Sequence, residues 1–239
     1  MNNLEFFRSG ITLEQSGGQF RLSTDAIVLA DFAARAAHGR VCDLCSGIGT
    51  VGLLLCGADA RCQLTGVELQ AEACALARKN IDANGLGSRF SMLQGDLRQI
   101  RSLLPANSFD AVVCNPPYFP VGSGAEAKDA AFAAARTEKF CTLSEVCQAA
   151  GWLLGTGGSF CLVHRPERLA DVICALRGNG LEPKRLRFVR HRADRLPSLL
   201  LVQSVCGGRP GVDYMPDLIL FHSDGTPTPA YRRLYHMED

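Results

Sequence analysis

The sequence predicts an α/β protein built on a Rossmann-like, doubly wound, mostly parallel sheet. Three observations predict it. Short apolar runs alternate with helical stretches along most of the chain. A glycine-rich stretch, Gly47-Ile48-Gly49-Thr50-Val51-Gly52, lies between the first of those runs and a helix, the context in which G-x-G-x-x-G has meaning. The run from Phe109 to Cys114 is stopped by Asn115-Pro116-Pro117-Tyr118. Proline cannot donate to a ladder, and the residue before it is pushed out of the helical region, so the chain leaves the sheet there as a stiff extended turn.

Bulk properties bound the rest. The 239 residues are read as a single domain, with 1–39 an amino-terminal extension and helix, and 207–239 a carboxyl-terminal extension packed on it. Hydrophobic residues at 47% against 21% charged exclude a disordered chain. A net charge of +1 announces no nucleic-acid field, so any such site must come from local clustering of the 25 Lys and Arg. The first residues carry no apolar signal core, and no apolar run approaches membrane-spanning length, so a cytoplasmic protein without a membrane partner is expected. Eleven cysteines, an odd number lying mostly in apolar runs, read as reduced core thiols. Cys42 and Cys45 have metal or redox spacing, but no second pair completes a site, and no metal is expected.

In order, residues 1–22 are polar, with Gly17-Gly18 read as a turn between extended pieces. Ser23-Thr24-Asp25 starts a helix whose amino end could face a ligand's carboxylate. Residues 40–44 form the first strand and lead into the glycine loop, where the backbone can approach a ligand closely and the next helix presents free N–H groups. A second strand, 62–67, ends at Glu68, followed by a helix over 71–83 and the stop signal Asn84-Gly85. A third strand, 89–94, ends at Gly95-Asp96, and a helix follows over 97–104. Residues 119–139 read as a long loop beside the fourth strand's end, the kind that carries substrate contacts. After it come a helix over 143–154, a turn at 155–158, a fifth strand at 159–164, and a helix from Pro166 to about Arg177. A basic sixth strand, 184–190, a seventh, 199–206, a short apolar piece, 218–221, and a terminal helix, 230–236, complete the chain.

The acidic residues decide between ligands. Pyrophosphate of a nicotinamide cofactor wants no carboxylate beside the glycine loop, yet Asp43 ends the first strand four residues before Gly47. Asp43 suits an ammonium instead. Glu68 suits ribose hydroxyls and Asp96 an adenine amine, with Ser46, Gly47 and Gly49 forming the loop itself. A ligand with those three parts in that order is S-adenosylmethionine. No Walker lysine follows the loop. At the other strand end, the Asn115 side-chain oxygen and the Pro116 carbonyl could accept the two hydrogens of a planar amino group and aim its lone pair at the sulfonium methyl, while Tyr118 stacks on the base. Phe119 and Arg136 are further substrate-contact candidates.

On Asp43, Gly47, Gly49, Glu68, Asp96 and residues 115–118 the chain resembles the class I S-adenosylmethionine-dependent methyltransferases of the amino-group type. The resemblance implies a seven-stranded sheet of order 3-2-1-4-5-7-6 with strand 7 antiparallel. Residues 20–30, Ala135-Arg136 with Glu138, and Pro216-Asp217-Leu218-Ile219-Leu220 are similar to segments of the bacterial tRNA1(Val) adenine-37 N6-methyltransferases. That implies N6 methylation of A37 in tRNA, hence an RNA partner, for which residues 184–195 are the candidate basic patch. Cys45-Ser46 and Arg21 depart from that family's usual residues. The alternatives are a protein glutamine N5-methyltransferase and a non-catalytic RNA-binding protein on the same scaffold. Oligomeric state is not legible.

Overall fold

The computed structural model describes residues 3–6, 10–15, 22–116 and 141–235. Its centre is a nine-stranded sheet. Four parallel strands come first in sequence: β3 (Arg40–Leu44), β4 (Gln63–Glu68), β5 (Phe90–Gln94) and β6 (Phe109–Cys114). They are joined by β7 (Leu154–His164), β8 (Leu181–Arg192) and β9 (Leu199–Cys206), and the order across the sheet is β8-β9-β7-β6-β3-β4-β5. Counted from β3 as the first, this is the expected 3-2-1-4-5-7-6, and β9 runs antiparallel to both of its neighbours. Two short strands, β10 (Asp213–Tyr214) and β11 (Leu218–Phe221), pair in parallel with the outer side of β8.

One row of paired residues crosses the seven long strands: Leu186, Val202, Leu162, Cys114, Leu44, Val67 and Leu93. It fixes a common level near the carboxyl ends of the parallel strands. Successive residues go to opposite faces, because side chains alternate along a strand. Val41, Ala111 and Val113 enter one core with α1 (Thr24–Ala33), α2 (Thr50–Ala58) and α3 (Ala71–Ala83). Cys42, Val112 and Cys114 enter the other with α4 (Ile100–Leu103), α5 (Leu143–Leu153) and α6 (Leu169–Gly178). Burial on both faces explains why these strands read as continuous apolar runs rather than as alternating ones.

Local signals account for most boundaries. Ser23 caps α1, its hydroxyl accepting from the Ala26 N–H, and Thr142 and Glu145 form a capping box on α5. The stretch expected as one helix over 97–104 is instead a 3-10 turn at Leu97–Gln99 followed by the single turn of α4. The glycine run at 155–158 belongs to β7 as an irregularity: Leu154 pairs with Phe109 and Ser159 with Ala111, so the extra residues loop out where Gly157 takes a φ of 88°. Before the sheet, β1 (Asn3–Phe6) and β2 (Thr12–Gln15) form an antiparallel hairpin. Gly17-Gly18, expected as a turn, lie outside the described residues.

β2 docks on α3 through two asparagines one helical turn apart. The Asn84 side chain accepts from the Thr12 N–H (2.7 Å) and donates to the Thr12 carbonyl (2.7 Å). Asn80 does the same with Glu14, at 2.8 and 3.2 Å, and also donates to the Ile48 carbonyl in the glycine loop (3.3 Å). The two amides substitute for a neighbouring strand, satisfying alternate peptide groups of β2.

At the other end, α7 (Pro229–Leu234) packs beside β11 and α1. The amino end of α1 is occupied from within: the Thr24 hydroxyl is hydrogen-bonded to the Tyr235 hydroxyl at 3.0 Å.

Candidate active site

The polar residues singled out from the sequence sit close to the row that crosses the sheet. Asp43 precedes Leu44 in β3, Glu68 is the last residue of β4, Asp96 follows the end of β5 by two residues, and Asn115 follows the last residue of β6. Four neighbouring strands therefore present these groups along one edge, where open α/β sheets bind ligands.

The loop between β3 and α2 is shaped by three left-handed residues, Cys45 (φ 56°), Gly47 (φ 56°) and Gly49 (φ 84°). It is closed by Ser46 N–H to the Val67 carbonyl (3.1 Å) and Gly49 N–H to the Ser46 carbonyl (2.9 Å). Among the described residues a Cβ on Gly47 would meet nothing within 4 Å, so the loop opens onto free space there. Gly52 has a different task. A Cβ there would stand 2.5 Å from the Phe90 ring and 2.8 Å from Leu64, so glycine permits the close approach of α2 to the sheet.

Two carboxylates hold this loop. Asp43, only 1% exposed, accepts from the Ser46 hydroxyl at 2.8 Å. Burial pushes its pKa up to about 7, against the opposing pull of Ser46 and of the Gly52 N–H. Glu68, 7% exposed, accepts from the Gly47 N–H through Oε2 and from the Gln70 N–H through Oε1, both at 2.8 Å. Burial raises its pKa too, and those N–H groups restrain the rise.

Asp96 differs from expectation. Its carboxylate is held by Arg98 through the guanidinium and the N–H, with Nη2 to Oδ2 at 2.6 Å and the Arg98 N–H to Oδ1 at 2.9 Å. The Arg98 guanidinium keeps its pKa below the usual carboxylate value. Asn115 is half-buried and Pro116 buried at the head of β6. Pro117, Tyr118, Phe119 and Arg136 lie outside the described residues.

In the basic stretch 184–195 the strand β8 is covered on its outer side by β10 and β11. Most of its cations are engaged by the chain itself: Lys184 donates to the Arg209 carbonyl, Arg185 to Gln203, Arg187 to the Pro216 carbonyl, and Arg190 to Asp217 and the Arg195 carbonyl. Asn80 was not singled out from the sequence, although it ties the glycine loop to β2. The available signal was a pair of poor helix formers, Asn80 and Asn84, spaced one turn apart on α3.

The eleven cysteines are all free, and eight of them are buried. Cys42, Cys114 and Cys141 lie in the second core, and Cys45 packs against it. Among the described residues no group of three His, Cys, Asp or Glu side chains is gathered as a metal ion requires.

A family model described as the methyltransferase small domain matches residues 22–173. The chain belongs to that family. It is a class I methyltransferase that uses S-adenosylmethionine. Over 234 residues it is 29% identical to a tRNA1(Val) (adenine(37)-N6)-methyltransferase of Porphyromonas gingivalis, covering 93% of this chain and 89% of that one. A ribosomal protein uL3 glutamine methyltransferase of Burkholderia pseudomallei is 37% identical over 92 residues, which is 37% of this chain and 30% of that one. Among solved structures, a predicted O-methyltransferase of Agrobacterium tumefaciens superposes with a TM-score of 0.73 at 22% identity, covering 89% of this chain and 96% of that one. The shared fold follows from this last likeness.

The residues of this methyltransferase fit the cofactor. Among the described residues, open space in front of Gly47, a buried carboxylate at Asp43 and a second carboxylate at Glu68 stand side by side at one sheet edge. Among the described residues no helix is long and apolar enough to cross a membrane.

Proposed function

We propose that this methyltransferase modifies N6 of an adenine in RNA, with tRNA as the substrate and A37 of tRNA1(Val) as the target. The observation that carries the reading is the placement of Asn115 and Pro116 at the head of β6, one strand from Asp43. The long likeness to the tRNA1(Val) enzyme of P. gingivalis supports the choice of substrate, whereas the glutamine methyltransferase likeness spans only a third of the chain.

In this reading S-adenosylmethionine, when bound, supplies the methyl group. Asp43 holds its ammonium, Glu68 its ribose hydroxyls and Asp96 its adenine amine, with Ser46, Gly47 and Gly49 lining the loop. Arg98 must then share or release Asp96. The Arg98 side chain is exposed, so water can take over its guanidinium when Asp96 turns to the cofactor. The Asn115 side-chain oxygen and the Pro116 carbonyl accept the two hydrogens of the target amine. An adenine amine is a poor nucleophile because its lone pair is delocalised into the ring. Acceptors that favour a tetrahedral nitrogen strengthen their hydrogen bonds as positive charge develops, which lowers the barrier rather than merely binding substrate. Tyr118, with Phe119 and Arg136, would contact the displaced nucleotide.

The test is transfer of labelled methyl from S-adenosylmethionine to unmodified tRNA, with the modified nucleotide mapped. Wild-type protein should label tRNA and Asn115→Ala should not. Labelling confined to a protein glutamine would overturn the reading.

A further inference from the structure

Four rings stand in a row beyond the outer strands of the sheet. His191 in β8 lies 4.6 Å from Phe221 in β11, Phe221 lies 4.6 Å from Tyr231 in α7, and Tyr231 stacks on Tyr235 at 4.2 Å with an interplanar angle of 18°. At one end Tyr235 is held by Thr24 at the start of α1. At the other end His191 is exposed. The Arg185 guanidinium over the Phe32 ring, at 5.4 Å, anchors the far end of α1 low on β8, so the start of α1, and the row with it, lies toward the carboxyl edge.

That is the edge of the candidate active site. Leu186 in β8 is level with Cys114 in β6 through the shared row, and His191 lies further along β8, on the order of 16 Å at about 3.3 Å per residue. β9 and β7 separate β8 from β6, which adds a lateral offset on the order of 14 Å at about 4.8 Å per spacing. The carboxylates that fit the cofactor are on the opposite side of β6, so the row flanks the side left for substrate.

Charge points the same way. Arg232 and Arg233 on α7 are exposed, and among the described residues neither is in an ion pair. Asp217 and Asp194 are taken up by Arg190, and by Arg192 and Arg195, while the acids of α1 beside α7 are Asp25 and Asp31, with Asp31 near Arg187. The row and both arginines also lie beyond residue 173, where the match to the family model ends.

We propose that this row, with Arg232 and Arg233, is a docking surface for the body of an RNA hairpin whose loop offers the reacting adenine at Asn115. The inference rests on the RNA reading above. Arg232 and Arg233 take phosphates of the hairpin stem, and a base left unstacked outside the stem continues the row at the exposed His191. A site on the order of 20 Å from the reacting turn is beyond the reach of one nucleotide, at about 3.3 Å rise along β8 and 4.8 Å across the sheet. A folded hairpin reaches it, and so the surface selects structured RNA over a short strand.

The experiment uses the full chain and two substrates, an unmodified tRNA transcript and a short strand, a trinucleotide centred on the reacting adenine. For the double variant Arg232→Glu, Arg233→Glu, KM for the transcript should rise about tenfold or more with kcat retained, while kinetics on the short strand stay at the wild-type level. The salt dependence of transcript binding should flatten, by a slope of about 1 for each phosphate no longer neutralised. His191→Ala should raise KM for the transcript and His191→Phe should restore it, because a ring and not a charge is needed. Unchanged KM for the transcript in both the arginine and alanine variants, with wild-type protein active on it, would overturn the docking surface and leave the RNA reading intact. Wild-type protein inactive on every RNA but active on a protein glutamine would overturn both.

Discussion

The Glu68 carboxylate and the Gly47 N–H are joined at 2.8 Å across 21 residues of sequence, while the other Glu68 oxygen accepts from Gln70. The residue chosen from its spacing as a ribose ligand is therefore also a brace for the loop that the ligand would meet. One carboxylate has lone pairs for both duties. In Glu68→Gln one oxygen becomes an amide donor that faces an N–H, so either Gly47 or Gln70 loses its acceptor. Hydrogen bonds to a charged group are worth about 1.5–3 kcal/mol, and cofactor affinity should fall about tenfold or more. Calorimetric titration with S-adenosylmethionine checks this, and affinity within twofold of wild type would contradict it.

Asp43 makes cofactor binding depend on pH. Its pKa is raised by burial from 3.8 to about 7, so below that pH it is largely protonated and cannot pair with an ammonium. Affinity should weaken by about tenfold per pH unit below 7 and level off above it. Asp43→Asn should bind weakly at every pH and lose this slope.

The same shift has a stability consequence in the cofactor-free protein. Because the folded pKa exceeds the unfolded value of 3.8, the Asp43 contribution is intact below 3.8 and is lost as pH rises toward 7. The loss is on the order of 4 kcal/mol. Denaturant midpoints of wild type and Asp43→Asn should therefore diverge between pH 4 and 7 (about the span between the two pKa values), with the asparagine variant gaining relative to wild type.

Gly52→Ala tests the packing under the loop. A methyl group at that position collides with Phe90 and Leu64, both in the core below α2. Overpacking of this kind costs about 1–3 kcal/mol. The midpoint of urea unfolding should drop with the slope unchanged, and cofactor affinity should fall as the start of α2 moves off the sheet. A midpoint equal to wild type would show that the helix shifts without cost.

Asn80, 1% exposed, joins β2, α3 and the Ile48 carbonyl. Asn80→Leu keeps the volume and removes the amide, leaving the Glu14 N–H and carbonyl without this partner. The expected cost is about 1–3 kcal/mol. Amide exchange at Thr12 and Glu14 should accelerate well before the central strands respond. Protection at Glu14 equal to wild type would rule out the surrogate-strand role.

The frame was legible because its signals are local. The prolines after Cys114, the left-handed glycines after Leu44 and the Ser23 cap each act within a few residues, and β3, β6, β9 and β11 have the expected bounds. The helix expected over 97–104 was too long because its cap, Asp96, supports a 3-10 turn before α4. The strand expected from 159 began earlier because the glycine run is absorbed as an irregularity opposite Phe109.

By itself the sequence determined a doubly wound sheet, a glycine loop after its first strand, and an amide-bearing turn after its fourth, because backbone sterics and hydrophobic period are written in neighbouring residues. Only the tertiary structure decided which charges are engaged. It paired Asp96 with Arg98, tied Arg185, Arg187 and Arg190 to their own chain around β8, and gathered His191, Phe221, Tyr231 and Tyr235 into one row. Such partners are set by which strands lie side by side and in what register, a long-range outcome of packing. A run of basic residues has the same composition whether it faces a ligand or holds its own chain.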